Sequence, residues 1–182
     1  EYSHFYPALK LFLDNKLFPA CEKILKNSKK LWLGDFHKKL NKVNQVLSPS
    51  DFGFHNAIQT KDGLKFIDFE YFGWDDSAKT LSDFLLHPAM QLTPTNRARF
   101  AERFLVEFKN TGDIYSRFKV LYPFYGLKWC LILLNEFMPN NLAKRDLVGA
   151  IAGQKDEVLA KQLSKSKNML DRVKREYEYF PY

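Results

Sequence analysis

The sequence predicts a mostly helical α+β domain that carries one small β-hairpin. Apolar residues make up 46% of its 182 positions, which is typical of a globular protein. Several long segments repeat apolar residues at helical spacing, whereas one pair of short apolar runs flanks a tight-turn signal. This length predicts a single domain over residues 1–182.

Three helices are predicted before the hairpin. Ser3 can cap a helix that runs toward Asp14, and Pro19 suits the first turn of a second helix that ends near Asn27. The third helix is predicted by four apolar residues that repeat along one helical face: Trp32, Phe36, Leu40 and Val43.

The hairpin is predicted from two short apolar runs, at residues 57–59 and 64–67. The turn between them ends in Gly63, which can adopt the positive φ that tight turns need. Asn56 enters the first strand and Asp68 leaves the second. The hairpin should therefore bring these two side chains to the same end.

Carboxylate and carboxamide groups surround this hairpin, and metal-assisted phosphoryl transfer needs these groups. One carboxylate must orient the attacking hydroxyl, and oxygen ligands must hold the Mg²⁺ ion. Pro49 and Gly53 keep the loop before the hairpin irregular. The residues in question are Asp51, Asn56, Asp68, Glu70 and Asp83.

Helices are predicted for the rest of the chain. Pro123 should interrupt one long apolar segment, because proline lacks an N–H and clashes with the preceding turn. One predicted helix ends before Pro88. The others cover Pro94 to about Asn110 and residues 113–121, 123–137, part of 138–153, and 154–179. The core is expected to include Trp32, Phe36, Phe84, Phe104, Trp129 and Leu133.

The motif D-x-x-x-x-N at residues 51–56 is followed by the hairpin and by Ile-Asp-Phe-Glu at 67–70. In this order of elements the chain resembles the aminoglycoside phosphotransferase and choline kinase superfamily, which shares the catalytic lobe of protein kinases. The family usually has His two residues before its catalytic Asp, and this chain has Pro49 there. The resemblance covers residues 47–87.

The resemblance implies a role for each polar residue. Asp51 would be the catalytic Asp, Asn56 and Asp68 would bind Mg²⁺, and Glu70 would lie beside the second metal position. Asp83 would be the buried Asp that braces the catalytic loop, through hydrogen bonds to backbone N–H groups. The implied activity is transfer of the γ-phosphoryl group of ATP to a hydroxyl of a small molecule.

The resemblance also implies that this chain is the C-terminal lobe of such an enzyme. It has no strand-rich opening, no Gly-rich loop and no candidate phosphate-binding Lys on a strand. We therefore expect the enzyme's own N-terminal nucleotide lobe as a partner. The fragment alone should fold without catalysing transfer.

Two other functions stay open. A non-catalytic, kinase-like protein would bind nucleotide or a partner without transfer, and a basic helical interaction module would carry its acidic residues incidentally. Asp51-Phe52-Gly53 also spells the D-F-G metal motif of protein kinases, but residues 1–50 hold no catalytic-loop motif to precede it.

Three further residues are candidates for contacts with the substrate. Tyr71 and Trp74 follow the hairpin and can line a pocket or belong to the core. Glu136 ends an apolar helix, where it faces water or supplies a carboxylate to the substrate pocket.

Composition excludes several classes of protein. The net charge of +7 comes with no motif for nucleic-acid binding, and no apolar run reaches the roughly 18 residues of a membrane span. The two cysteines form no metal or disulfide pattern, so a cytoplasmic location is expected.

Overall fold

The protein was analysed as a computed structural model that describes residues 4–32, 34–141 and 155–182. This part of the chain is mostly helical and holds two small antiparallel sheets, so the predicted α+β class is confirmed. None of the helices in these ranges combines the length and the apolar character that crossing a membrane requires.

One continuous helical run replaces the first two predicted helices. Helix α1 (Phe5–Phe12) continues through a π-helical turn (Leu13–Leu17) into α2 (Phe18–Leu31). Pro19 cannot donate to the carbonyl four residues earlier, and the wider turn just before it lets the helix continue. The predicted cap, Ser3, lies outside the described residues.

The predicted helix over Trp32 to Val43 is wrong. Trp32 has an extended ψ of 109°, and residues 34–41 form no regular element before a 3-10 turn at Lys42–Asn44. The Trp32 indole N–H donates to the Asp35 carbonyl, and the Asp35 carboxylate accepts from the His37 N–H. Such short-range bonds offer the backbone an alternative to the helix.

The structure has two pairs of short strands. Strand β2 (Ala57–Thr60) pairs with β3 (Gly63–Phe66), which confirms the predicted hairpin, and Gly63 has the positive φ of 111°. Strand β1 (Gln45–Ser48) pairs with β4 (Gly73–Asp76), a pairing that the sequence did not predict. Residues 49–72, which carry the hairpin, therefore begin and end next to each other at the β1–β4 pair.

Four further helices form most of that body: α3 (Ser77–Leu86), α4 (Pro94–Glu107), α5 (Ile114–Leu133) and α6 (Lys155–Glu178). Helix α5 packs against both α3 and α6. Pro123 lies inside α5 and is buried, so the predicted break is wrong: tertiary packing outweighs one lost hydrogen bond. The predicted short helix within 138–153 falls largely outside the described residues.

The core lies where α3, α5 and α6 meet. Phe84 and Leu133 are buried as predicted, whereas Trp32, Phe36, Phe104 and Trp129 are only partly buried. Gly126 lets α5 and α6 approach closely, because a Cβ atom there would lie 2.2 Å from Cγ2 of Val173. The largest fully buried side chains include Tyr122, Phe118, Leu81, Leu85, Leu159 and Leu170.

Candidate active site

The loop that leads from β1 to the hairpin is anchored on α3. The Ser48 and Thr80 hydroxyls are 2.7 Å apart in a buried hydrogen bond, and Ser48 Oγ also accepts from the Ser50 N–H. Lys79 donates to Ser50 Oγ at 2.8 Å. These bonds hold Ser50 in a left-handed conformation with φ of 64°, directly before Asp51.

Asp51 and Asn56 are joined across this loop. The Asn56 side-chain Nδ2 donates to the Asp51 carbonyl at 3.0 Å and to Asp51 Oδ2 at 3.3 Å. The Asn56 Oδ1 atom therefore lies on the side of the amide away from Asp51. The Asp51 side chain is 44% exposed, so water or a ligand can reach its carboxylate.

Asp68 lies beside Asn56 at the open end of the hairpin. The Ile67 N–H donates to the Asn56 carbonyl at 2.9 Å, which extends the β2–β3 pairing by one step. Asp68 follows with a φ of 62°, a conformation that Asp tolerates better than most residues. Two of the three non-glycine residues with positive φ in the described ranges thus flank the candidate site. Backbone strain of this kind is concentrated at functional sites.

Negative charge collects around Tyr71. A hydrogen bond to Glu70 raises the pKa of the Tyr71 phenol, and the charges of Glu70, Asp68 and Asp51 raise it further. These three carboxylates therefore act on one exposed surface. Tyr71 and Trp74 are 67% and 66% exposed, which excludes a place in the core.

Asp83 is buried, at 7% exposure, as expected of a structural residue. Its hydrogen-bond partners differ from the predicted backbone N–H groups. Asp83 Oδ1 accepts from Lys128 Nζ at 2.9 Å and from the Trp129 indole N–H at 3.2 Å. Lys79 Nζ lies 3.7 Å from Oδ2 and bonds Ser50, so Asp83 supports the loop indirectly, through Lys79.

Glu136 lies in a 3-10 turn (Asn135–Phe137) that follows α5, and it is buried. This burial excludes the water-facing position that the sequence left open.

A column of phenylalanine rings ties the hairpin to the helices. Phe66 on β3 contacts Phe52 in the loop, with ring centres 4.7 Å apart, and Phe52 stacks on Phe84 of α3 at 5.5 Å. Phe84 stacks in turn on Phe100 of α4 at 3.9 Å. Phe104 and Phe108 extend the column.

Two histidines beside Asp51 were not identified from the sequence. His55 Nε2 is 3.1 Å from Asp51 Oδ1, and His87 Nε2 is 3.9 Å from the same oxygen. The two imidazole rings are stacked at 3.9 Å with an angle of 3°. The edge of Trp129 then packs against His87 at 4.5 Å. The four-residue spacing of Asp51 and His55 was the available signal, but His87 comes from the end of α3.

The tautomer of His87 follows from its backbone contact. The Ala89 N–H donates to His87 Nδ1 at 3.1 Å, so Nδ1 carries no proton and the neutral ring is protonated at Nε2. Burial lowers the pKa of His87 from 6.5 to about 4, with the charge of His55 adding to the shift and that of Asp51 opposing it. His87 is therefore neutral at physiological pH.

Gly53 makes room for this pair of rings. A Cβ atom at Gly53 would lie 2.7 Å from ring atoms of His55 and 2.8 Å from Met90 Sδ. The glycine is buried and extended, so close approach rather than backbone conformation requires it. The Phe54 N–H also points at Met90 Sδ, at 3.2 Å.

Asp51 and Asn56 are hydrogen-bonded to each other, and Asp51, Asp68 and Glu70 share the acidic surface around Tyr71. No protein-family model, curated protein or solved structure matches this chain. Hard oxygen donors and one exposed carboxylate suit metal-assisted attack by a hydroxyl group.

Proposed function

We propose that this chain is the catalytic lobe of an ATP- and Mg²⁺-dependent phosphotransferase that acts on a hydroxyl group of a small molecule. The observation that carries the proposal is the hydrogen bonding of Asn56 to Asp51 at the open end of the hairpin, next to Asp68. At one end of the hairpin, the proposed site combines a reachable carboxylate with two oxygen donors for a metal.

Asn56 and Asp68 are the residues that would hold Mg²⁺. The Asn56 Nδ2 group is already bonded to Asp51, which leaves the Oδ1 atom as a donor, and Asp68 contributes an exposed carboxylate. Glu70 adds a third oxygen donor on the same surface. This donor set fits a hard cation, and when bound Mg²⁺ supplies neutralising charge for the nucleotide phosphates.

Asp51 receives the proton of the substrate hydroxyl in this proposal. The hydroxyl oxygen forms a bond to the γ-phosphorus while the bond from that phosphorus to the bridging oxygen of ADP breaks. The proton moves to the Asp51 carboxylate, and the products are a phosphate ester and ADP. Lys79 and Asp83 keep the loop in position during this step.

The substrate remains a small alcohol of unassigned identity. Tyr71 and Trp74 present exposed aromatic faces beside the acidic surface, which suits a quaternary ammonium group through cation–π contact. A sugar hydroxyl fits the same catalytic chemistry. Glu136 is a further candidate for a substrate contact.

The test uses protein expressed from its complete reading frame, with Mg²⁺-ATP and with choline, glucose and kanamycin as probe alcohols. Asp51→Asn should lower turnover by about a hundredfold or more, the usual scale for loss of a positioned base, with little change in nucleotide affinity. Asp62→Asn is the matched control, because Asp62 is an exposed carboxylate in the turn of the same hairpin. Unchanged turnover in folded Asp51→Asn protein would reject the assignment.

A non-catalytic nucleotide-binding protein is the second candidate, and Pro49 favours it because the family usually has His there. Mg²⁺-ATP binding that depends on Asp68, without transfer to any probe, would support that function. Absence of both binding and transfer would leave the basic interaction module.

A further inference from the structure

The two carboxylate oxygens of Asp51 have different neighbours. Oδ1 accepts from His55 Nε2 at 3.1 Å and faces His87 Nε2 at 3.9 Å. Oδ2 has a longer contact, to Asn56 Nδ2 at 3.3 Å. His55 therefore holds Oδ1 by a hydrogen bond, whereas Oδ2 has only the longer contact with Asn56.

The histidine rings are themselves fixed from both sides. His55 lies between the Cα of Gly53, which has no room for a side chain, and the parallel ring of His87. His87 is held by the Trp129 edge and by the Ala89 N–H. These contacts fix the plane of the His55 ring, in which Nε2 lies 3.1 Å from Asp51 Oδ1.

We propose that the stacked His55–His87 pair positions the Asp51 carboxylate through Oδ1 and leaves Oδ2 to receive the proton of the substrate hydroxyl. The inference rests on the proposed function in its second half, the role of Oδ2. The first half, the hydrogen-bonded stack, stands independently of any activity. His55 and His87 are positioning residues in this scheme, because they act through Asp51.

A metal centre is the rival explanation, because ligand atoms of Asp51, His55 and His87 lie within 4.8 Å of one another. The Ala89 contact argues against it. With Nδ1 of His87 accepting that N–H, Nε2 of the neutral ring carries the proton, whereas metal binding needs its bare lone pair. Parallel rings also direct their nitrogen lone pairs side by side and not toward one point.

The structural arm of the test uses ¹⁵N-labelled protein without nucleotide. Long-range ¹H–¹⁵N spectra should show His87 as the Nε2–H tautomer and His55 with Nε2 as the donor. Asp51→Ala should shift the His55 Nε2 resonance and leave that of His37 in place. Gly53→Ala should shift it too, whereas Gly73→Ala should not, because a Cβ at Gly73 meets no atom within 4 Å.

Three results of this arm would overturn the inference. The first is an Nδ1–H tautomer at His87, and the second is a His55 resonance that does not change in Asp51→Ala. The third is stoichiometric Zn²⁺ binding to the wild-type protein that is lost in His87→Ala, which would make the cluster a metal centre. We expect no Zn²⁺ binding that depends on His87.

The kinetic arm compares His55→Ala with His55→Gln in protein from the complete reading frame. His55→Ala should lower kcat for Mg²⁺-ATP and the active probe alcohol about tenfold or more, with little change in the KM for Mg²⁺-ATP. His55→Gln should recover part of kcat, because its amide can still donate to Oδ1. Equal kcat in wild type and His55→Ala, alongside inactive Asp51→Asn, would refute the positioning role. If the wild type transfers phosphate to no probe, the proposed function fails, while the spectra still decide whether the stack holds Asp51.

Discussion

Replacing Asp83 with alanine tests how the candidate site is built into the helices. The Asp83 carboxylate is buried and accepts from Lys128 Nζ at 2.9 Å and the Trp129 indole N–H at 3.2 Å, with Lys79 Nζ 3.7 Å away. Asp83→Ala removes the hydrogen-bond acceptor of Lys128 and Trp129 and the ion-pair partner of Lys79. It leaves the positive charges in place.

The expected loss of stability can be worked out from these contacts. Removing one partner of a fully buried ion pair costs about 3–5 kcal/mol. The cost is lower here, because Lys128 is 42% exposed and Lys79 keeps its 2.8 Å contact with Asp75. The Trp129 N–H adds about 1–3 kcal/mol if it stays unsatisfied. We expect a net loss of about 2–3 kcal/mol, which lowers Tm by about 4–12 °C for a chain of this length.

Urea unfolding and thermal melting of the purified chain measure this loss. Asp14→Ala is the control, because Asp14 forms an exposed ion pair with Lys10 and should cost less than about 0.5 kcal/mol. Asp83→Asn should fall between the two variants, since its amide oxygen still accepts from Lys128 or Trp129. If Asp83→Ala were no more destabilising than Asp14→Ala, Asp83 would not brace the site and the reasoning would be wrong.

Three further predictions concern the rest of the molecule. Gly126→Ala should cost about 1–3 kcal/mol by forcing α5 away from Val173, whereas Gly73→Ala should change the unfolding free energy little; equal values would contradict the close approach. The neutral His87 binds fewer protons than the unfolded chain between pH 6.5 and about 4, so stability should fall as pH decreases through that window. After allowance for the partial exposure of His87, the loss of unfolding free energy is about 1–2 kcal/mol. Urea titrations at pH 7 and pH 4.5 should show this loss in the wild type but not in His87→Phe. The 182-residue chain alone should fold without phosphorylating choline, glucose or kanamycin, because it holds no Gly-rich loop or paired Lys to cradle ATP; turnover comparable to an intact kinase would contradict this expectation.

Local signals in the sequence identified much of the frame. The hairpin and the long last helix follow from turn chemistry and apolar spacing, and the structure agrees. The segment after Trp32 misled the prediction, because its apolar spacing fits a helix while its Asp35 turn does not. Pro123 led to the opposite error, a predicted helix break. Packing of α5 on two sides keeps the helix intact there.

Contacts between distant parts of the chain could not be predicted in this way. The β1–β4 pairing joins residues such as Ser48 and Gly73, and residues 49–72 separate the two strands, so no tight-turn signal connects them. His87 reaches Asp51 only because α3 starts at β4 and ends beside the loop. Single-sequence patterns report on neighbours along the chain, so the carboxylates were found and the histidines that contact them were not.

The phenylalanine column also stabilises the position of the hairpin against the helices. Two strands of four residues make a hairpin that is only marginally stable by itself, so β2 and β3 depend on the contact between Phe66 and Phe52 to stay docked. That contact is propped in turn by Phe84 and Phe100. Replacing Phe100 on α4 with a smaller residue would thus lower the fraction of time that the hairpin packs against the helices, without removing any polar side chain of the site. Hydrogen exchange in β2 and β3 would record the change, so a ring on α4 influences how long the polar end of the hairpin stays in place.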